Sequence, residues 1–502
     1  MTLLLNLEYS PSLPPFRRLA DALRTAILDG RLTPGQPIPS VRSLSATLKV
    51  SRSTVLRAID DLKQQGYLET SKGSSTRVCK ELPPGYAADR VQQHDLPRVV
   101  RRFGREVRLS AYGNRLMERE AAHVDWQKID FGGAPSSLAP LKLWRRLMAR
   151  QWSDLEKLEL AGYTTDPFGY RPLREALARY LNRARNVQCT AQRVAVFGTK
   201  RLRLDAIARV LLNPGDAIAF EEPGYPEAAA LFSALGANLL PVRVDKDGMV
   251  VERLIQEFDK DQAIKLVYVT PSHQDPTGAT LSLDRRYRLL DWARENRVFI
   301  IEDDYDHEYL YGAKRLPSLQ GLDAGDRVIY LSSLWKILFP AVKFGFMVVP
   351  HCLEAAIQQS KYHLERSMPV AEQMALADFI DEGHLERYIR KSQSILAVRR
   401  RALLYALSKH LRDRVIIYGT GAGTHILVRL KTGLDDRQVE ECAEQANLSL
   451  LSTRPFYRGR SPGDEFMISF ANVFEDTVTN SVETFGALVN QQEMVLHSEP
   501  GA

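Results

Sequence analysis

Cysteine is scarce in this chain. Its four thiols, Cys79, Cys189, Cys352 and Cys442, are widely separated and form no C-x-x-C pair, which argues against both a disulfide framework and a structural zinc site. Long apolar runs are missing too, and the opening residues lack the basic, apolar and small-residue order of a secretory leader. The expectation is a cytoplasmic protein with no membrane partner and no metal. What is present, 44% hydrophobic and 26% charged residues over 502 positions, is the composition of a soluble globular protein too long for one ordinary core.

The charge is unevenly placed. Residues 1–110 hold 18 Lys+Arg against 10 Asp+Glu, a surplus of +8, while the whole chain carries +7. The remainder is therefore near neutral. A basic module on a neutral body points to a polyanion partner for that module alone, although a merely solvated basic surface would look the same by charge.

In "PFRRLADALRTAILDGRL" the residues Phe16, Leu19, Leu23 and Ile27 recur at helical spacing, and Gly30 marks the stop. After "LTPGQPIPS", the segments "VRSLSATLKV" and "SRSTVLRAIDDLKQQGYL" read as two short amphipathic helices in a helix-turn-helix. Val55, Ile59 and Leu62 face inward, which leaves Ser51, Arg52, Ser53, Thr54 and Arg57 near the exposed amino-terminal end, the part of a recognition helix that enters a major groove. "YLETSKGSSTRVC" then reads as a wing with Lys72 and Gly73 at its tip. Arginine can donate two hydrogen bonds to a guanine edge while hydroxyls suit phosphates. A small helical domain with solvated basic residues is the plain alternative.

The string from "RRLADALRTAILDGRLTPGQPIPSVRSL" through "VSRSTV" and "GYLET" to the wing resembles the DNA-binding domain of the GntR regulator family. The resemblance places Arg42, Ser51, Arg52, Ser53, Thr54 and Gly73 on DNA-contacting positions, and puts Leu56 where the family can carry arginine. It implies a winged helix-turn-helix over residues 1–79, followed by a proline-bearing, aperiodic linker over 80–108.

From residue 109 onward, helical patterns alternate with the β-branched runs "RVAVF", "DAIAFEEP", "KLVYVTPS", "RVFIIEDD", "RVIYLSS" and "FGFMVVP". Such alternation implies an α/β domain with a mostly parallel sheet, whose ligands bind beyond the carboxyl ends of the strands. In "VFIIEDDYDHEY", Asp303 stands at such an end with Tyr305 two residues on. A carboxylate there can pair with a protonated ring nitrogen and a phenol can bond a ring oxygen, as pyridoxal 5'-phosphate requires. Taken alone, an acidic strand end more often binds Mg²⁺ or caps a helix. Lys336, after the next β-like run, has an ε-amine able to form a Schiff base once deprotonated.

The segments "YTTDPFGYRPLREALARYL", "LLNPGDAIAFEEPGYPEA", "TPSHQDPTG", "EDDYDHEYLYG" and "LWKILFPAVKFGF", in that order, resemble the fold-type I aminotransferase superfamily. A GntR-like reader joined to such a body resembles the MocR/GabR group of bacterial transcription regulators. That likeness implies Lys336 as the Schiff-base lysine, Asp303 as the ring-nitrogen partner, Tyr305 as the ring-hydroxyl partner and Tyr225 as the stacking aromatic. It also implies that Tyr163 reaches the phosphate of a neighbouring subunit's site.

Several positions depart from the pattern. Trp335 and Ile337 replace the serine and threonine that flank the lysine, and Lys343 replaces a phosphate-binding arginine, which loses the bidentate fork. "FGTKRLRL", with Thr199 and Lys200, replaces a Ser-Gly-Ser/Ala-Gln phosphate loop, although its amides remain suited to phosphate. Asp275 replaces an asparagine, and Met467 stands where members that bind amino-acid carboxylates carry arginine.

Three functions are consistent with this reading. The first is a sequence-specific regulator of double-stranded DNA, a homodimer on two half-sites whose body senses pyridoxal phosphate or a linked small-molecule effector. The resemblance implies a swapped, head-to-tail dimer. The second is an active aminotransferase that also binds DNA, disfavoured by Met467, Trp335 and Asp275 because catalysis needs closer placement than binding. The third is a regulator whose degenerate body takes another ligand or none.

Overall fold

The computed structural model describes residues 13–70, 75–82, 108–117, 139–163, 166–257, 264–312, 316–334, 337–338, 342–471 and 473–498. The chain divides into two compact units, residues 1–108 and 109–502.

In the first unit, α1 (Pro15–Leu28) and α3 (Arg52–Gln64) each bury an apolar stripe, and α2 (Val41–Leu48) buries Leu44. Leu19, Leu23 and Ile27 meet Leu44, Val55, Ile59 and Leu62 in a single core. The helical spacing read from the sequence therefore corresponds to the buried face, and each fully buried aliphatic side chain contributes about 1.5–3 kcal/mol. Gly30 ends the first helix with a positive φ of 75°, which costs glycine nothing. The strands β1 (Leu68–Glu69) and β2 (Arg77–Val78) pair antiparallel and add Leu68 and Val78 to the same core.

The second unit is built on an eight-stranded sheet. In chain order its elements are α4 (Arg171–Arg185), β3 (Val194–Phe197), α5 (Lys200–Leu211), β4 (Ala217–Glu222), α6 (Pro226–Ala234), β5 (Asn238–Asp245), β6 (Gly248–Met249), β7 (Ile264–Val269), α7 (Leu283–Asn296), β8 (Phe299–Asp303), β9 (Val328–Ser333), β10 (Gly345–Val348) and α8 (Val370–Asp381). The strand order is β3-β10-β9-β8-β7-β4-β5-β6. The run from β9 to β5 is parallel, while β10 lies antiparallel to both of its neighbours.

Both faces of this sheet are covered. Val194, Val196 and Tyr330 pack with Leu173 and Leu177 of α4 and Phe379 of α8. The alternate residues Ala195, Phe197, Ile301 and Leu331 pack on the opposite face with Leu204 and Ile207 of α5 and Phe232 of α6. The two-residue period of a strand thus explains why these segments read as continuous apolar runs. A second, antiparallel sheet of β11 (Val415–Tyr418), β12 (His425–Leu430), β13 (Leu450–Ser452) and β14 (Glu465–Ser469) follows, in the order β11-β12-β14-β13. It packs against the helices His384–His410, Asp436–Gln445 and Glu475–Ser498.

Candidate functional site

On the first unit, Ser51 caps α3 by accepting from the Thr54 N–H at 3.1 Å, and its hydroxyl also meets those of Ser53 and Thr54, both at 2.8 Å. Ser51 and Thr54 therefore order the start of the helix. Arg42, at the start of α2, and Arg52 and Ser53, at the start of α3, are exposed. Arg57 is exposed as well, but its guanidinium lies over the Phe16 ring at 4.1 Å, a cation–π contact that aims it toward α1. Leu56 projects from the same helix, 49% exposed among polar neighbours. Lys72 and Gly73 lie outside the described residues.

On the second unit, the parallel strands end at one rim, and the candidate side chains meet there. Asp303 closes β8, Tyr268 projects from β7, Tyr225 immediately precedes α6 after β4, and Lys200 begins α5 after β3. The Lys200 ammonium lies 2.8 Å from Asp303 Oδ2, with side chains only 10% and 1% exposed. The same oxygen accepts a hydrogen bond from the Tyr268 hydroxyl. Lys200 also sits over the Tyr225 ring at 4.2 Å and faces the Tyr305 ring at 5.3 Å.

The phenols are occupied. Tyr225 donates to Glu227 at 2.7 Å, and the Tyr305 hydroxyl lies 3.1 Å from His273 Nδ1. Burial, reinforced by neighbouring carboxylates, holds Tyr225, Tyr268 and Tyr305 well above the usual phenol range, so all three stay neutral, and Tyr225 and Tyr268 donate to carboxylates. Next to them, burial pushes Glu221 up to about 7, although its Oε2 accepts from the Thr270 N–H and hydroxyl.

Thr199, Lys200, Asp303, Tyr225 and Tyr305 are thus brought to one rim. Thr199 spends its hydroxyl as the cap of α5, accepting from Leu202 N–H at 3.2 Å. Lys343 is exposed. Trp335, Lys336 and the side chain of Tyr163 lie outside the described residues. Asp275 is buried nearby, and Met467 is enclosed by Leu427, Leu451 and Phe456.

Three features were not legible as site residues. Lys200 approaches the carboxylate of Asp303, whereas its place in "FGTKRLRL" had suggested only proximity to a phosphate. Arg203, fully buried, donates to the Ser332 carbonyl, to Phe346 O at 3.1 Å and to Ser333 Oγ at 2.8 Å, and burial lowers its pKa to about 10. Gly345 leaves the space this guanidinium fills. His273, Asp306 and His425 form a buried group whose ligand atoms lie within 4.8 Å of one another, but Asp306 and Tyr305 already engage His273 Nδ1. Only the high density of titratable residues in "SHQDPTG" and "EDDYDHEY" hinted at that group.

The model of the "Bacterial regulatory proteins, gntR family" matches residues 15–78, and that of "Aminotransferase class I and II" matches residues 137–485. The chain is 32% identical to the probable rhizopine catabolism regulatory protein MocR of Rhizobium meliloti, over 96% of this chain and 95% of that protein. The chain belongs to the MocR-type transcription regulators. Another relative, the uncharacterized HTH-type transcriptional regulator YhdI of Bacillus subtilis, is 30% identical over 95% of this chain and 96% of its own. The kynurenine aminotransferase of Pyrococcus horikoshii superposes with a TM-score of 0.66 at 27% identity, covering 80% of this chain and 98% of that one. This MocR-type chain is accordingly a DNA-binding regulator with a body of fold-type I aminotransferase architecture.

Pyridoxal phosphate is the cofactor of class I and II aminotransferases, and the MocR-type body can be tested against it residue by residue. Its ring-side residue types are present. Among the described residues their arrangement does not fit the cofactor, because the Asp303 carboxylate that a ring nitrogen would need already holds the Lys200 ammonium. Among the described residues, the phosphate end at the start of α5 is no better supplied. Thr199 is a cap, the Gly198 N–H is taken by the Glu365 carboxylate at 3.2 Å, and Arg203 is turned into the sheet.

Proposed function

We propose that this MocR-type regulator binds an operator of two half-sites as a homodimer and uses the rim around Asp303 as a small-molecule sensing site without efficient transamination. The observation that carries the proposal is the union of two features. The reader has a capped recognition helix with Arg52 and Ser53 exposed, and the rim has its one ring-binding acid already paired within the chain. Arg42, Arg52, Ser53 and Arg57, with Lys72 and Gly73 of the wing, are the proposed DNA contacts, and Ser51 and Thr54 hold the helix end against a phosphate. Two readers are needed because one winged helix covers too few base pairs for genomic specificity.

A working transaminase needs a carboxylate clamp and an available ring partner. Met467 lies in an apolar cluster and Asp303 is neutralised, so binding without turnover is the better-supported reading. The test is selection of DNA ligands from a random pool by the full chain, with sedimentation of the recovered complex. A palindromic consensus bound by two chains is expected. Recovery of no consensus would refute sequence-specific reading.

A further inference from the structure

This inference deepens the reading of the Asp303 rim as the ligand site and rests on it. We propose that Lys200 is a built-in occupant of that site, a cation of the chain's own standing where a protonated pyridine nitrogen would stand, which keeps the wild-type protein closed to pyridoxine-type phosphates.

Three observations converge. Asp303 is buried and directs Oδ2 at two donors already, the Lys200 ammonium at 2.8 Å and the Tyr268 hydroxyl. A ring N–H seeking that oxygen must displace one of them. The Tyr225 ring carries the same ammonium at 4.2 Å, so the face on which a cofactor ring would stack is covered as well. Finally, a pyridinium beside Lys200 would meet a like charge in a site shielded from water, whereas a neutral pyridine would have no proton to donate to the carboxylate.

Lys200 cannot leave without cost, because its departure strands a buried carboxylate with one phenol as partner. Among the described residues, those at the start of α5 do not offset that cost. Thr199 is committed to the helix cap, Arg203 to Ser333 and two carbonyls, and a carboxylate, Glu365, stands at the Gly198 N–H just before α5. The device is consistent with a single residue, the first of α5, and Lys200 is anchored there by the cap that precedes it.

The probe is pyridoxine 5'-phosphate, which carries ring and phosphate but no aldehyde, so its binding is independent of any Schiff base. It is titrated into the full chain by equilibrium dialysis. Lys200→Ala is expected to bind it at least ten-fold more tightly than the wild type. Equal affinity would overturn the proposal, and weaker affinity would overturn it in the opposite sense by showing that Lys200 serves the phosphate. Should the alanine variant fail to fold, Lys200→Gln keeps a neutral donor at Asp303 and must show the same gain for the proposal to stand. Operator binding by the same preparations is read separately. Its loss would refute the regulator reading, whereas an unchanged dialysis result with intact operator binding would refute the role of Lys200 alone.

Discussion

Arg52 and Leu56 lie one helical turn apart on α3 and both are exposed, yet on the proposed reading face they would offer opposite chemistry to DNA. Arg52→Ala is expected to weaken operator binding by ~1–3 kcal/mol with a smaller effect on random DNA, as measured by gel shift against both. Leu56 offers only an apolar contact, suited to a thymine methyl group. Leu56→Arg should therefore shift the selected base at its position toward guanine in a ligand-selection experiment, and an unchanged consensus would remove Leu56 from the reading face. In the body, Glu221 has an ordinary value of 4.5 that burial raises to about 7. The folded chain keeps a proton that the unfolded chain gives up, so this contribution is complete below about 4.5 and is lost as pH rises through about 7. Calorimetry should show the unfolding temperature falling between pH 5 and pH 8, and Glu221→Gln should flatten that fall. Glu302, also raised to about 7 by burial, adds to the slope in the same sense.

At the scale of elements, α3 and α5 are placed by the same device, a hydroxyl cap on the residue before the helix. Ser51→Ala should cost about 1 kcal/mol of reader stability, because the first-turn N–H of Thr54 loses its acceptor. The loss is measurable by denaturant unfolding of the full chain followed through a probe on α3. Helix identities, strand identities and the two-sided burial of the sheet were largely legible, since each depends on a local period of 3.6 or 2. The wing strands were legible as a hairpin, and pairing of Leu68 with Val78 supplies its base. The antiparallel insertion of β10 between β9 and β3 was not. Its residues "GFMV" are apolar like those of the parallel strands, and direction within a sheet leaves no mark on a buried four-residue run.

For the whole molecule, the proposed dimer and basic reader predict a steep salt dependence. Operator affinity should fall roughly linearly on logarithmic axes, with a slope near −0.9 per phosphate neutralised, and Arg42→Ala should reduce that slope by about 1. Sedimentation at micromolar concentration should give a dimer, and a strict monomer would contradict the two-half-site reading. The amino-acid order alone determined the two-part plan, the basic reader, the α/β body and the gathering of Asp303, Tyr305 and Tyr225 near strand ends, because each follows from local periodicity, composition or a motif in register. Tertiary structure alone decided what Lys200 does. It and Asp303 are 103 residues apart in the chain, and a lysine at a helix start reads equally well as a phosphate ligand or a solvated cation. Only the order in which the crossovers lay down β3, β8 and β4 brings the first residue of α5 over the Tyr225 ring and onto that carboxylate. In a buried site the resulting ion pair outweighs any local preference of either residue, since the low dielectric that strengthens it also penalises leaving Asp303 alone.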